Sequence, residues 1–313
     1  MNTPHIVVVG STMTDMVTYA QKLPERGQTL VADSFQIGFG GKGANQAIMA
    51  KRFDVAVSMV NSVGEDVFGE STLENFQAQG INVDFVYRVP GPSGVAPIWV
   101  EADGSNRILI VPGANNLMTP EQAETAIKTL PGVTVVVAQL EIPQEVTIAA
   151  FQAARQLGAT TILNPAPYAP IDPKLLAVCD WVMPNENEFK AMHPENLFPE
   201  NREIIQNLAS SIGTKFAVTL GEAGAAYTDE NGEVHYIKAP KVKAIDTTGA
   251  GDALVGAFAV GLALQLPAER ALELGCICAS DSVTRLGTQA SYPSNEWVTA
   301  ALSQIEKADQ ING

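Results

Sequence analysis

Cysteine, histidine and positive charge are all scarce in this chain of 313 residues. Three cysteines, Cys179, Cys276 and Cys278, make no even set of bridges, so the sequence reads as a reduced, cytoplasmic protein and not as a disulfide scaffold. Cys276 and Cys278 fall inside LELGCICAS, an apolar stretch of helical period, and read as core packing. The histidines, His5, His193 and His235, stand singly and offer no zinc spacing. Nineteen Lys+Arg face thirty-four Asp+Glu, a formal net charge of -15. That field repels phosphate backbones and anionic membrane surfaces, which argues against nucleic-acid and membrane partners and favours neutral small molecules. No apolar run reaches the length of a bilayer span, and MNTPHIVVVG enters a strand without a signal sequence before it.

What is present suffices for a large core. Apolar residues make up 46% of the chain. HIVVVG (5–10), VAVSMV (55–60), VTVVVAQL (133–140), TTILN (160–164), DWVMPN (180–185) and FAVTL (216–220) are continuous apolar runs, the pattern of parallel strands covered on both faces. Between them lie stretches of helical period: GANQAIMAKRF, TPEQAETAIKTL, EVTIAAFQAARQLG and REIIQNLASSIG. Thr119 followed by Pro120 marks one helix start, a capping hydroxyl with proline in the first turn. The alternation predicts an α/β fold with a doubly wound, mostly parallel sheet. Two segments, 14–37 and 94–111, alternate apolar and polar positions instead, with a turn at ADGSN. They predict a small antiparallel β-flap outside the main sheet, as a lid over a ligand site or a contact between two copies. With no linker, low-complexity tract or repeat, the expectation is a single domain over residues 1–313 plus that lid.

Two glycine loops carry the chemistry. IGFGGKGANQA (37–47) sets Gly38, Gly40 and Gly43 at the G-x-G-x-x-G spacing of a dinucleotide turn. Such a turn belongs between the first strand and the first helix, whereas this loop follows the flap segment. A phosphate-binding P-loop is excluded too. Lys42 precedes Gly43 and not Ser or Thr, and Gln36 stands where the first glycine is needed. The second loop, in AIDTTGAGDALVGAFAVGLAL (244–264), runs strand, turn, apolar helix. Gly249, Ala250 and Gly251 leave backbone N–H groups open at a helix N-terminus, an anion site backed by the helix dipole. Asp252 beside it suits either of two roles, a helix cap or a general base that takes a hydroxyl proton.

GGKGANQA (40–47), NPAP (164–167), PNENE (184–188), VTLGEAG (218–224) and DTTGAGD (246–252) occur in this order over nearly the full length. Together they resemble the ribokinase branch of the PfkB sugar-kinase family. The resemblance implies a ribokinase-like fold and transfer of the γ-phosphoryl of ATP to the terminal hydroxyl of a small neutral sugar. It makes Asp252 the catalytic base and Gly249, Ala250 and Gly251 the anion hole. Asn185 and Glu188 match an N-x-x-E motif near the phosphates, with Glu188 reaching Mg²⁺ through water; taken alone they read as a helix cap. Thr219, Leu220, Gly221, Glu222, Ala223 and Gly224 match the nucleotide-binding turn, with Gly251 and Asp252 beside the nucleotide and Cys276 along its adenine. Asp246, Thr248, Ser282, Arg285, Gly287 and Ser291 match positions that hold an activating K⁺, largely through backbone oxygens. Gly41, Lys42, Gly43, Ala44 and Asn45 match the loop that closes over the sugar, with Asp15 and Glu141 as further sugar contacts. A homodimer through the flap also follows from the resemblance.

One position departs from the branch. Its N-terminal marker resembles G-S-x-N-x-D, and GSTMTD (10–15) places Met13 where that asparagine bonds ribose hydroxyls on the C2–C3 side. A thioether donates no hydrogen bond and accepts poorly. GSTMTDMVTY and GTQASYPS look closer to deoxyribokinases, which implies 2-deoxy-D-ribose as acceptor, with ribose or another sugar or sugar acid as the alternative.

Overall fold

The computed structural model describes residues 4–312, with side chains as far as Lys307. In chain order its strands are β1 (His5–Val9), β2 (Met13–Ala20), β3 (Ser34–Gly40), β4 (Ala56–Gly64), β5 (Asn82–Val89), β6 (Val95–Glu101), β7 (Asn106–Ile108), β8 (Val133–Ala138), β9 (Thr160–Leu163), β10 (Trp181–Val182), β11 (Lys215–Thr219), β12 (Ala225–Thr228) and β13 (Val234–Ile237). Among the described residues nine strands form one sheet, ordered β13-β12-β11-β10-β9-β8-β1-β4-β5, and four form a second, ordered β3-β2-β6-β7.

From β5 to β11 every pairing in the large sheet is parallel, and β12 and β13 add an antiparallel edge. The continuous apolar runs become these strands because both faces are buried. Along β1, Ile6 and Val8 enter one core with the helices Lys42–Lys51, Ala250–Ala263 and Ala268–Ser282. Val7 and Val9 point the other way, into a core with the helices Pro120–Thr129, Gln144–Gln156 and Arg202–Ile212. The predicted start at Thr119 is a capping box, with Gln122 returning a bond to the cap backbone. Because the chain adds β4 and β5 on one side of β1 and β8 onward on the other, the winding reverses beside β1. That places a crevice at the carboxyl ends of β1 and β8.

The small sheet joins the two segments whose pattern alternates. Its outer pairings are antiparallel, and the predicted ADGSN turn connects β6 to β7. The central β2·β6 pairing runs parallel, because the two strands enter the sheet from the same end of the molecule on separate passes of the chain. Strand ends differ from expectation where polar residues are buried or exposed against the pattern. β4 continues through the buried Asn61 and Ser62 to Gly64, and β8 stops at Ala138, before Gln139 and Leu140. Among the described residues no helix is long and apolar enough to cross a membrane. All three cysteines are free and buried.

Candidate active site

The crevice is assembled from the first residues past each strand end. After β1, Gly10, Ser11 and Thr12 cross into β2; after β3, Gly41 leads back into the helix Lys42–Lys51. The glycines there are steric requirements. Gly41 has φ +90, and a Cβ on it would stand 2.7 Å from the Met13 nitrogen; a Cβ on Gly43 would stand 2.6 Å from the Ser11 nitrogen. The first glycine loop is thereby pressed onto the β1–β2 crossing, and its helix opens beside Glu141. The Glu141 carboxylate accepts from the Lys42 backbone N–H at 3.0 Å and from the Ser11 hydroxyl. Asp15, on β2, faces the same space. Burial, with repulsion from Glu141, pushes its carboxyl up to about 6. Burial likewise raises Glu141, against the bonds from Ser11 and Lys42. The Lys42 ammonium is raised first by Asp252, against burial, with Glu141 and Glu188 adding to it. One ammonium therefore stands within electrostatic reach of three carboxylates.

Met13 is buried at the floor of this group. Asn115 Nδ2 lies 3.7 Å from its sulfur, and the same amide group exchanges bonds with the Thr12 backbone and donates to the Pro112 carbonyl.

The helix Ala250–Ala263 starts at Gly249, whose left-handed backbone (φ 77) carries no side chain to cap the first turn. Asp252 does not cap it either. Its Oδ2 accepts from Asn45 Nδ2 at 2.9 Å and its Oδ1 from Gln46 Nε2 at 3.0 Å, both on the opposite helix. Of the two roles open to Asp252, the capping one is thus set aside: the carboxylate is buried, turned to the helix Lys42–Lys51, and adjacent to helix-terminal amides that no side chain caps, of which Ala250 N–H donates to the Thr247 carbonyl at 3.3 Å. A carboxylate so placed can accept a proton from a hydroxyl while those amides face an anion.

Beyond that helix start lies a cavity of about 730 Å³, lined by Thr219, Gly221–Gly224, Ala250, Gly251, Cys276 and Val283 among others. Cys276 reaches its wall, and burial pushes its thiol up to about 12, so it packs and does not react. Glu222 is exposed at the rim. Two other depressions, around Arg155 and Lys215, sit at the amino ends of β9 to β11, away from every residue above.

Asn185 and Glu188 form a full capping box at the start of the helix Glu186–Met192. Asn185 is also bridged to Thr219, which ties the cap to the turn Thr219–Gly224. Burial raises the Glu188 carboxyl, against its bond from Asn185 N–H and the Lys42 charge. Among the described residues no group of three or more His, Cys, Asp or Glu could by itself hold a metal. Glu188 fits a cation that keeps its waters and is held mainly by phosphates, since a buried carboxylate gains from a nearby positive charge. In the loop after Ile245, Asp246 accepts from the N–H groups of Thr248 and Gly287, both at 2.9 Å. Burial pulls that carboxyl upward, and these bonds outweigh it and hold it below its ordinary value. Ser282, Arg285, Gly287 and Ser291 come to the same loop pair, joined by Ile245 N–H donating to the Val283 carbonyl. The oxygen-rich set suits a monovalent cation, although the Ser291 carbonyl already accepts from Arg285 Nε and Nη2.

Among the side chains at the site that escaped sequence reasoning are Gln46, Gln139, Asn164 and Gln289. Each lies inside or beside a quoted motif, but only packing shows what it touches. Asn45 Oδ1 accepts from Gln289 Nε2 at 3.0 Å, which links the segment after the helix Ala268–Ser282 to the first glycine loop.

The description "pfkB family carbohydrate kinase" matches residues 3–295 of the chain. The deoxyribokinase of Salmonella typhimurium is 39% identical over 305 residues, covering 96% of this chain and 99% of that one. The ribokinase of Schizosaccharomyces pombe is 38% identical over 302 residues, covering 93% and 95%. Among solved structures, Arabidopsis thaliana ribokinase complexed with ribose and ATP superimposes with a TM-score of 0.88 at 30% identity, over 96% of this chain and 99% of that one.

Proposed function

Because the chain belongs to the pfkB family of carbohydrate kinases and is an ATP-dependent sugar kinase of the ribokinase type, we propose that its acceptor is 2-deoxy-D-ribose, phosphorylated on the 5-hydroxyl to 2-deoxy-D-ribose 5-phosphate. Relatives named for either pentose align equally well, so overall identity leaves the sugar open. Met13 carries the choice. It is buried beside Asp15 and the glycine loop, where the resemblance expects an amide that bonds ribose hydroxyls. A methionine there suits a carbon bearing hydrogen. Discrimination by an apolar contact is modest, about 10²-fold at most, so some ribose turnover is expected. Comparing kcat/KM for deoxyribose and ribose in wild type and Met13→Asn tests the assignment: the ratio moves toward ribose by about tenfold or more. An unchanged ratio removes Met13 as the selector.

In the mechanism we infer, Asp15, Glu141, Lys42 and Asn45 orient the sugar between the main sheet and the small sheet, with the backbone of Gly41, Gly43 and Ala44 against it. Asp252 takes the 5-hydroxyl proton, and the amides of Gly249, Ala250 and Gly251 face the transferring phosphoryl. Asn185 and the turn Thr219–Gly224 border the nucleotide. Glu188 would hold Mg²⁺ through water, and the ion would supply charge neutralisation on the phosphates. The loop pair of Asp246, Thr248, Ser282, Gly287 and Ser291 would hold an activating K⁺ once Arg285 gave up the Ser291 carbonyl. The small sheet acts as the lid of a single domain. Its exposed Phe35, Ile37 and Phe39 alternate along β3, an apolar row that fits a second copy of the chain.

A further inference from the structure

The Asp252 carboxylate has two amide partners of different kinds. Asn45 belongs to the sugar loop and is itself held by Gln289. Gln46 is fully buried behind the site and is held on every side. Its Nε2 donates to Asp252 Oδ1 at 3.0 Å and to Asn164 Oδ1 at 3.1 Å. Its Oε1 accepts from Gln139 Nε2 at 2.6 Å. Asn164 is fixed in turn by donating to the Met183 carbonyl at 2.8 Å. Turning the Gln46 amide over would set oxygen against a carboxylate and against the Asn164 carbonyl oxygen, so its orientation is fixed.

Two further observations mark this as a built support. Gln139 Oε1 is buried and has no hydrogen-bond partner among the described residues, so the orientation that serves Gln46 is kept at the expense of an orphaned acceptor. The helices also close in at this point: a Cβ on Gly256, one turn past Asp252, would stand 2.7 Å from the Gln46 backbone oxygen.

We propose that Gln46 is the positioning residue of the catalytic base, anchoring Asp252 Oδ1 from behind while Asn45 exchanges the other oxygen, Oδ2, for the sugar hydroxyl. This rests on the reading of Asp252 as base. Gln46 touches neither sugar nor nucleotide. It acts by keeping the lone pairs of Oδ2 aimed at the acceptor, and a misaimed base lowers turnover without weakening sugar binding.

Gln46→Met, which keeps length and removes the donor, is expected to lower kcat by about 10²-fold with the sugar KM within about threefold of wild type. In an Asp252→Asn background the same substitution is expected to have no further effect, because its route to the chemistry is gone. Gln46→Glu provides the second variant. It can donate to Asp252 only while protonated, so its kcat is expected to recover as pH falls, opposite to wild type. The proposal is overturned if folded Gln46→Met turns over normally, if its loss persists undiminished on Asp252→Asn, or if Gln46→Glu follows the wild-type pH profile. Near-normal turnover by Asp252→Asn alone would instead remove the base assignment, whatever Gln46 does.

Discussion

Asp252 and Glu188 occupy the same local position, the third residue of a helix, and do opposite things with it. Glu188 turns back to its own helix start and completes a capping box with Asn185. Asp252 turns away, to amides on another helix. The residue three places earlier decides between them. Asn185 offers a side chain to exchange bonds with, whereas Gly249 offers none and leaves its first turn without a side-chain cap. A cap that is satisfied stabilises a helix; a cap left open makes an anion site and frees the carboxylate for chemistry.

The largest effect expected from breaking this contrast is at Asp252. Asp252→Asn should lower kcat by about 10²–10⁴-fold and lower the thermal midpoint by only a few degrees, since no cap is lost but the new amide nitrogen must face Asn45 Nδ2 or Gln46 Nε2. Steady-state ADP release and a melting curve read the two halves together. Near-normal turnover would show that the open helix start does not serve this carboxylate.

Glu188 should respond with opposite signs for function and stability. Gln can hold the same place in a capping box, so Glu188→Gln keeps the helix start. Losing the charge should raise the Mg²⁺ concentration for half-maximal rate by about 10–100-fold. Because burial raises the carboxyl of Glu188, the folded state binds its proton more tightly than the unfolded chain does. Its contribution to stability therefore falls as pH rises above the ordinary glutamate value, and the neutral variant avoids that loss. At neutral pH the variant should melt at or above the wild-type temperature. A lower midpoint with unchanged Mg²⁺ dependence would make Glu188 a cap and nothing more.

The same contrast explains what could be read from the sequence. Parallel strands and the flap were legible because burial imposes a period that neighbouring residues carry. Asp252 and its glycines were legible because a helix start is a local pattern. Its choice between cap and base was not, because Gln46 lies 206 positions away in the chain. Gln139 and Asn164 looked like ordinary polar residues at strand ends, and their amides acquire a direction only when β8 and β9 lie side by side. The parallel β2·β6 pairing was hidden for a related reason: alternation reveals which face is buried but not which way the neighbouring strand runs.

The smallest effect expected is at Asn185, and it sharpens the comparison from the other side. Asn185→Ala removes the side chain that accepts from Glu188 N–H, a loss of about 1 kcal/mol in a typical N-cap. In a chain of this size that is a fall of a few degrees at most in the midpoint. The other half of the box stays, because Glu188 Oε2 accepts from the backbone N–H of residue 185, which alanine keeps. With the carboxylate still held, Asn185→Ala should leave Mn²⁺ binding in the nucleotide complex within about threefold of wild type while lowering stability. Weaker Mn²⁺ binding would mean instead that the box holds the carboxylate where the metal's water shell needs it.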